Sequence, residues 1–180
     1  MLGVVLLYVG IVLISNGANG VLGIEDKSSA VMNIFTGGLG VVCNFAVIIY
    51  GACTGQGPWW FYGCATGLLF AFTYLYSAIN TIFELDQRLY GIFSLFVAIN
   101  SIPCGILSWI NYAGKAGFVG MFGPLYGIIW WLWGLLWLTG FLGSTLGKDL
   151  GKFPSYLGIV EGVVTAWIPG FLMLTGIWPL

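Results

Sequence analysis

No histidine occurs anywhere in this chain. That absence removes the commonest metal ligand and the side chain whose ordinary titration falls near neutrality. Charge is nearly as scarce. Five Lys and Arg and six Asp and Glu make up 6% of 180 residues, against about 25% in a soluble domain. So few charges cannot clothe a surface in water, so the surface faces lipid. The net charge of −1 leaves no basic patch for nucleic acid and no acidic tail. Cys43, Cys53, Cys64 and Cys104 form no Cys-x-x-Cys pair and have no His partner, which argues against a metal site. Three of them read as small apolar fillers within helices, and Cys53 falls near a loop. Enzymes need a nucleophile with a base, or a metal. Neither can be assembled here, so the chain reads as a pore or carrier, with no cofactor.

What the chain has in abundance is apolar and aromatic surface: 59% hydrophobic residues, 17% aromatics, nine Trp and 29 Gly. A bilayer core takes about 20 apolar residues per helix. Charged clusters mark where such runs stop, and they leave six: Leu2 to Leu22, Ser28 to Ala52, Trp59 to Phe83, Leu89 to Ile110, Pro124 to Leu146 and Pro154 to Trp178. Pro124 suits a helix first turn. The N-terminal run has no positive stretch before it, so it reads as a spanning helix rather than a signal peptide. The expected fold is all-α and integral to the membrane. It is a single six-transmembrane-helix bundle over residues 1–180, with three helical hairpins around a central pore.

Lys27, Arg88, Lys148 and Lys152 lie in the odd loops, whereas the even loops hold only Lys115. By the positive-inside rule the odd loops face the cytoplasm and both termini face outward. Tyr50, Trp59, Trp60, Trp109, Tyr112 and Trp178 then fall at the outer interface. A faint repeat runs through the odd helices as Leu6-Leu7-Tyr8, Leu68-Leu69-Phe70 and Leu135-Leu136-Trp137. Val31-Met32-Asn33 and Ala98-Ile99-Asn100 echo it in the even ones. Chance is the competing reading, because Leu-Leu-aromatic is common in apolar sequence.

Glu161 is the sole charged residue inside a span. Such a group is costly and functional by default, or else ties two helices together. Trp130, Trp133 and Trp137 step by three and four along one face of the fifth helix. Interface anchoring explains only the ends of so deep a stripe, which points to a pore lined by aromatics. Leu2, Leu6, Val9, Leu13 and Asn16 step the same way in the first helix, and Phe70, Tyr74 and Ser77 in the third. Coupled transport usually employs several intramembrane carboxylates, and ion conduction employs rings of charge or carbonyls. What remains is a neutral solute moving down its gradient.

Several segments resemble the AmiS/UreI family of urea and short-chain amide channels. They are LLYVGIVLISNG at Leu6 to Gly17, SSAVMN at Ser28 to Asn33, ATGLLFAFTYLYSAIN at Ala65 to Asn80, LFVAIN at Leu95 to Asn100, IIWWLWGLLWLTGF at Ile128 to Phe141, LGKF at Leu150 to Phe153 and EGVVTAWIPGFL at Glu161 to Leu172. The resemblance implies a homo-hexameric ring around a central lipid plug in a bacterial inner membrane, with one pore per protomer. It implies passive passage of urea or acetamide-like amides, often beside a cytoplasmic urease or amidase. The family's pore positions correspond here to Trp130, Trp133, Trp137, Phe70, Tyr74, Leu2, Leu6, Val9, Leu13 and Glu161. In that setting Trp and Tyr edges would donate hydrogen bonds to the solute, and Glu161 would accept amide protons or orient an indole. The acid-activated branch carries His-rich external loops, whereas this chain has a short second loop and no His. The expectation is therefore a channel open at neutral pH.

Overall fold

The computed structural model describes residues 1–111 and 117–178, with only the backbone described at residue 111 and over 117–120. The helices are α1 (Leu2–Leu22), α2 (Asp26–Thr54), α3 (Pro58–Phe83), α4 (Arg88–Asn111), α5 (Gly117–Ser144), α6 (Phe153–Glu161) and α7 (Ile168–Leu174), with a π-helical turn at Gly162–Trp167 joining the last two. Six helical stretches are long and apolar enough to cross a membrane, the sixth running from Phe153 to Leu174. Tyr112 and Lys115, two residues of the predicted outer side, lie outside the described residues.

The charged loops end the helices as expected, and the ends share a construction. α1 stops at Gly23, whose φ of 67° suits a residue without Cβ, and its N–H bonds to the Asn19 carbonyl. α3 stops in the same left-handed conformation at Glu84 (φ 55°), bonded to the Asn80 carbonyl. An L side chain pays for that conformation, and Glu84 is held there by an ion pair to Lys27 at 2.6 Å. Each turn carries the same clasp: Asn19 donates to Asp26 at 2.8 Å, and Asn80 to Gln87 at 3.2 Å. The hairpin turn is thus what repeats. The Leu-Leu-aromatic triplets do not share a register, because Tyr8 is exposed where Phe70 and Trp137 are buried.

Two helix boundaries differ from expectation. Pro124 lies inside α5, not in its first turn. The run Gly117 to Gly123 holds no charge to stop the helix, and proline's fixed φ is helical, so only one backbone bond is lost. The sixth span is not one α-helix either. Its π turn ends just before Pro169, which lacks the N–H that would continue the regular ladder, and Ile168 N–H reaches back to the Val163 carbonyl.

The tightest seams join neighbouring hairpins rather than the two arms of one. α2 packs on α3, α4 on α5, and α1 on the α6–π–α7 stretch, which closes the ring. Small residues allow the approach. A Cβ on Gly40 would meet Ala71 at 2.9 Å, and one on Gly10 would meet Trp167 at 2.7 Å. Gly10→Ala is therefore expected to destabilise the folded protein by about 1–3 kcal/mol, read as a lower melting temperature in detergent. Gly38, with nothing within 4 Å of a built Cβ, is the control. Gly38→Ala should be neutral or stabilise by about 0.5–1 kcal/mol.

Candidate functional site

The helices α1, α3 and α5 turn their stepped apolar faces inward. Leu6, Val9, Leu13, Phe70, Tyr74, Trp130, Trp133 and Trp137 are all buried, at 8% exposure or less. They do not pack solid. Two cavities remain inside the ring, one of about 520 Å³ and one of about 250 Å³. The wide chamber lies at the N-terminal ends of α1 and α3 and is bordered by Leu2, Leu6, Val9 and Trp130. The narrow chamber lies toward the charged loops and is bordered by Leu13, Tyr74, Ser77 and Trp137. Phe70 and Trp133 border both, so the chambers meet at this pair.

Phe70 is the hub of the constriction. Its ring centroid lies 4.5 Å from Trp133, 4.7 Å from Trp137 and 5.6 Å from Trp130, all edge-on. Edge-to-face packing is the arrangement aromatic quadrupoles favour. Trp130 and Trp133 meet edge-on as well, at 5.3 Å. Trp131, off the stripe, turns away and caps the Ile102 carbonyl of α4.

The indole N–H groups of Trp133 and Trp137 do not point at a solute, contrary to the expectation that Trp edges donate to it. Trp133 Nε1 donates to Thr165 Oγ1 at 2.8 Å, and Trp137 Nε1 donates to Thr73 Oγ1 at 3.2 Å. Buried indoles need a partner, and these threonines provide it. Each threonine in turn donates to its own helix, Thr165 to the Glu161 carbonyl and Thr73 to the Leu69 carbonyl. The planes of these two indoles are thereby fixed, and they present rings rather than donors to the constriction. Thr73 and Thr165 carry no periodic signal in the sequence. Their partners lie 64 and 32 residues away.

Glu161 is 2% exposed and borders neither chamber. Neither carboxyl oxygen has a hydrogen-bond partner among the described residues. Among the described residues its side chain makes no hydrogen bond that ties two helices. Its contribution to indole orientation runs through its backbone carbonyl and Thr165. Trp178, expected at an interface, is buried and stacked on Phe122 at 4.7 Å.

Polar groups sit in the chambers rather than at the constriction. Asn44 borders the wide chamber, with its amide nitrogen on the Gly40 carbonyl at 2.8 Å. Asn16 and Asn33 border the narrow one. The described residues contain no group of three or more His, Cys, Asp and Glu able to hold a metal. A wide, mainly apolar chamber and a narrow one lined by neutral hydroxyl and amide groups, meeting at a ring of aromatics, suit a small flat neutral solute. An ion would lose its hydration there with nothing to replace it.

The chain matches the model of AmiS/UreI family transporters over residues 1–177. It is 50% identical over 194 residues to the acid-activated urea channel of Helicobacter pylori strain 26695, covering 99% of this chain and 100% of that protein. It is 39% identical over 178 residues to a Mycolicibacterium smegmatis protein described as a transporter of amidate substrates, covering 98% and 78% respectively. The crystal structure of the urea channel from H. pylori superposes with a TM-score of 0.89 at 53% identity, covering 99% of both chains.

Proposed function

The chain belongs to the AmiS/UreI family of transporters, not to a family of enzymes, and we propose that it is a passive urea channel, open at neutral pH. One observation carries the solute class: both chambers and the constriction are lined by neutral groups, with Phe70 and Trp133 common to the two. Urea is flat, polar and uncharged, so aromatic faces can hold its plane while dehydrated ions are refused. The resemblance to the H. pylori channel supports urea among such solutes. The M. smegmatis relative supports short-chain amides as the second reading. A scaffold that only recruits a urease or amidase would pass neither.

On this reading the odd loops face the cytoplasm of a bacterial inner membrane, the wide chamber opens outward and the narrow one inward. Leu2, Leu6, Val9, Leu13, Tyr74, Trp130 and Trp137 line the path. Six protomers form the ring.

Open behaviour at neutral pH follows from the groups available to sense acid. The second loop holds no carboxylate or His. Tyr112 and Lys115 in the fourth loop have reference pKa values of about 10 and 10.4. At the cytoplasmic side Arg88 holds the Asp86 carboxyl down at about 2, and Lys27 lowers Glu84. Both pairings stabilise above the ordinary carboxylate range and weaken only as pH falls through these depressed values. Neither of these ion pairs changes between pH 5 and 7.5. Urea uptake into proteoliposomes should therefore vary less than about twofold over that range, since switching a gate from mostly closed to mostly open takes about 5.5 kcal/mol. A steep rise on external acidification, with internal pH held constant, would overturn the pH reading.

A further inference from the structure

Urea and simple amides each carry a carbonyl oxygen that accepts and N–H groups that donate. At the constriction the N–H groups of Trp133 and Trp137 are already taken by threonines. In the narrow chamber, Thr73, Ser94 and Thr139 donate their hydroxyl protons to carbonyls of their own helices, at 2.7, 3.0 and 2.7 Å. Toward the chamber those oxygens can only accept. They suit the N–H groups of a carboxamide, whereas its carbonyl needs a donor from another group of the chamber, whose lining also includes the hydroxyls of Tyr74, Ser77 and Ser155.

Asn16 and Asn33 supply such a donor in a fixed orientation. They face each other across α1 and α2 as a cyclic amide pair. Asn16 Nδ2 donates to Asn33 Oδ1 at 3.1 Å, and Asn33 Nδ2 donates to Asn16 Oδ1 at 2.7 Å. Asn33 spends its second N–H on the Ser29 carbonyl at 2.8 Å and is only 2% exposed. Its amide plane is therefore fixed from two sides. Asn16 has used one of its two N–H groups and one of its two lone pairs. It is half-buried, and it borders the chamber. One donor and one acceptor of Asn16 thus remain, on an amide that Asn33 holds flat and oriented.

Resting on the channel reading, we propose that the Asn16–Asn33 pair is an amide-binding station of the narrow chamber: Asn16 contacts the carboxamide of the passing solute, and Asn33 positions Asn16. The pair reproduces between two side chains the complementarity that a urea or acetamide molecule shows to either of them. A solute leaving the aromatic constriction meets a fixed donor for its carbonyl here, with the hydroxyl acceptors of α3, α4 and α5 nearby.

The test uses full-length protein in proteoliposomes and compares urea with thiourea, whose sulfur is a poor acceptor. Asn16→Leu removes the donor. It should lower the urea-to-thiourea flux ratio about 3- to 10-fold, the range for one lost hydrogen bond, and raise half-saturating urea. Asn16→Ser, smaller and polar, guards against misassembly and should move the ratio the same way. Asn33→Leu leaves Asn16 present but unheld, and should give a smaller shift in the same direction. A merely structural tie would lower thermal stability and slow both solutes alike. An unchanged ratio in both assembled Asn16 variants overturns the station while leaving the channel reading intact. Absence of urea flux in the unaltered protein overturns the channel reading itself.

Discussion

Trp133→Ala is expected to abolish discrimination between urea and larger amides, raising the propionamide-to-urea flux ratio about tenfold or more, since one methylene in a fitted pocket already discriminates by about 10- to 200-fold. Trp133 is 2% exposed and borders both chambers. Removing its indole takes away the ring that Phe70 meets at 4.5 Å and merges the two cavities. It also leaves Thr165 without the indole N–H it accepts at 2.8 Å. The truncation should cost about 3–5 kcal/mol of stability, so the flux ratio is read on protein that still purifies as an assembly. Trp133→Phe keeps a ring in the slot and should retain most of the discrimination. Trp137 borders only the narrow chamber. Trp137→Ala should alter urea flux with a smaller loss of size selection. An unchanged solute ratio in Trp133→Ala would place the constriction elsewhere.

The second large effect concerns Glu161. Glu161→Lys is expected to abolish both assembly and flux, whereas Glu161→Gln should leave both within about twofold of the unaltered protein. The site is buried, and neither carboxyl oxygen has a partner among the described residues. A longer side chain with an ammonium head would bring an unmatched charge into the membrane interior, at a cost of about 2.5–3.5 kcal/mol or more. Gln keeps the shape and forfeits no hydrogen bond to the described residues. Its backbone carbonyl, which receives Thr165, is unaltered. A Gln variant with normal assembly and urea flux reduced more than about tenfold would show that the carboxyl serves the path. Lower stability with normal flux per assembled protein would restore the tie between helices.

How far the sequence could be read followed from how local each feature is. Span ends were legible because charges cannot enter the apolar core, and Gly23 marks a left-handed cap that proteins reserve for such a residue. The inward face of the fifth helix was legible because Trp130, Trp133 and Trp137 keep the helical period, and all three prove buried. Pro124 misled because proline starts helices readily, while the uncharged run before it lets α5 begin at Gly117. The roles of Thr73 and Thr165 were hidden, because each is defined by a tryptophan on another helix. Asn33 showed only as part of a faint repeat, and its partnership with Asn16 spans 17 residues. For Glu161, an apolar run shows that a charge is buried but not which face carries it. Only the packing of the π turn shows that it borders neither chamber.

The most direct test of the channel itself is osmotic swelling of proteoliposomes in an imposed urea gradient. The expected result is urea entry well above empty liposomes at pH 7, equal in both directions and indifferent to proton or sodium gradients, with no ion conductance. Accumulation of urea against its gradient, or entry no faster than in empty liposomes, would contradict it.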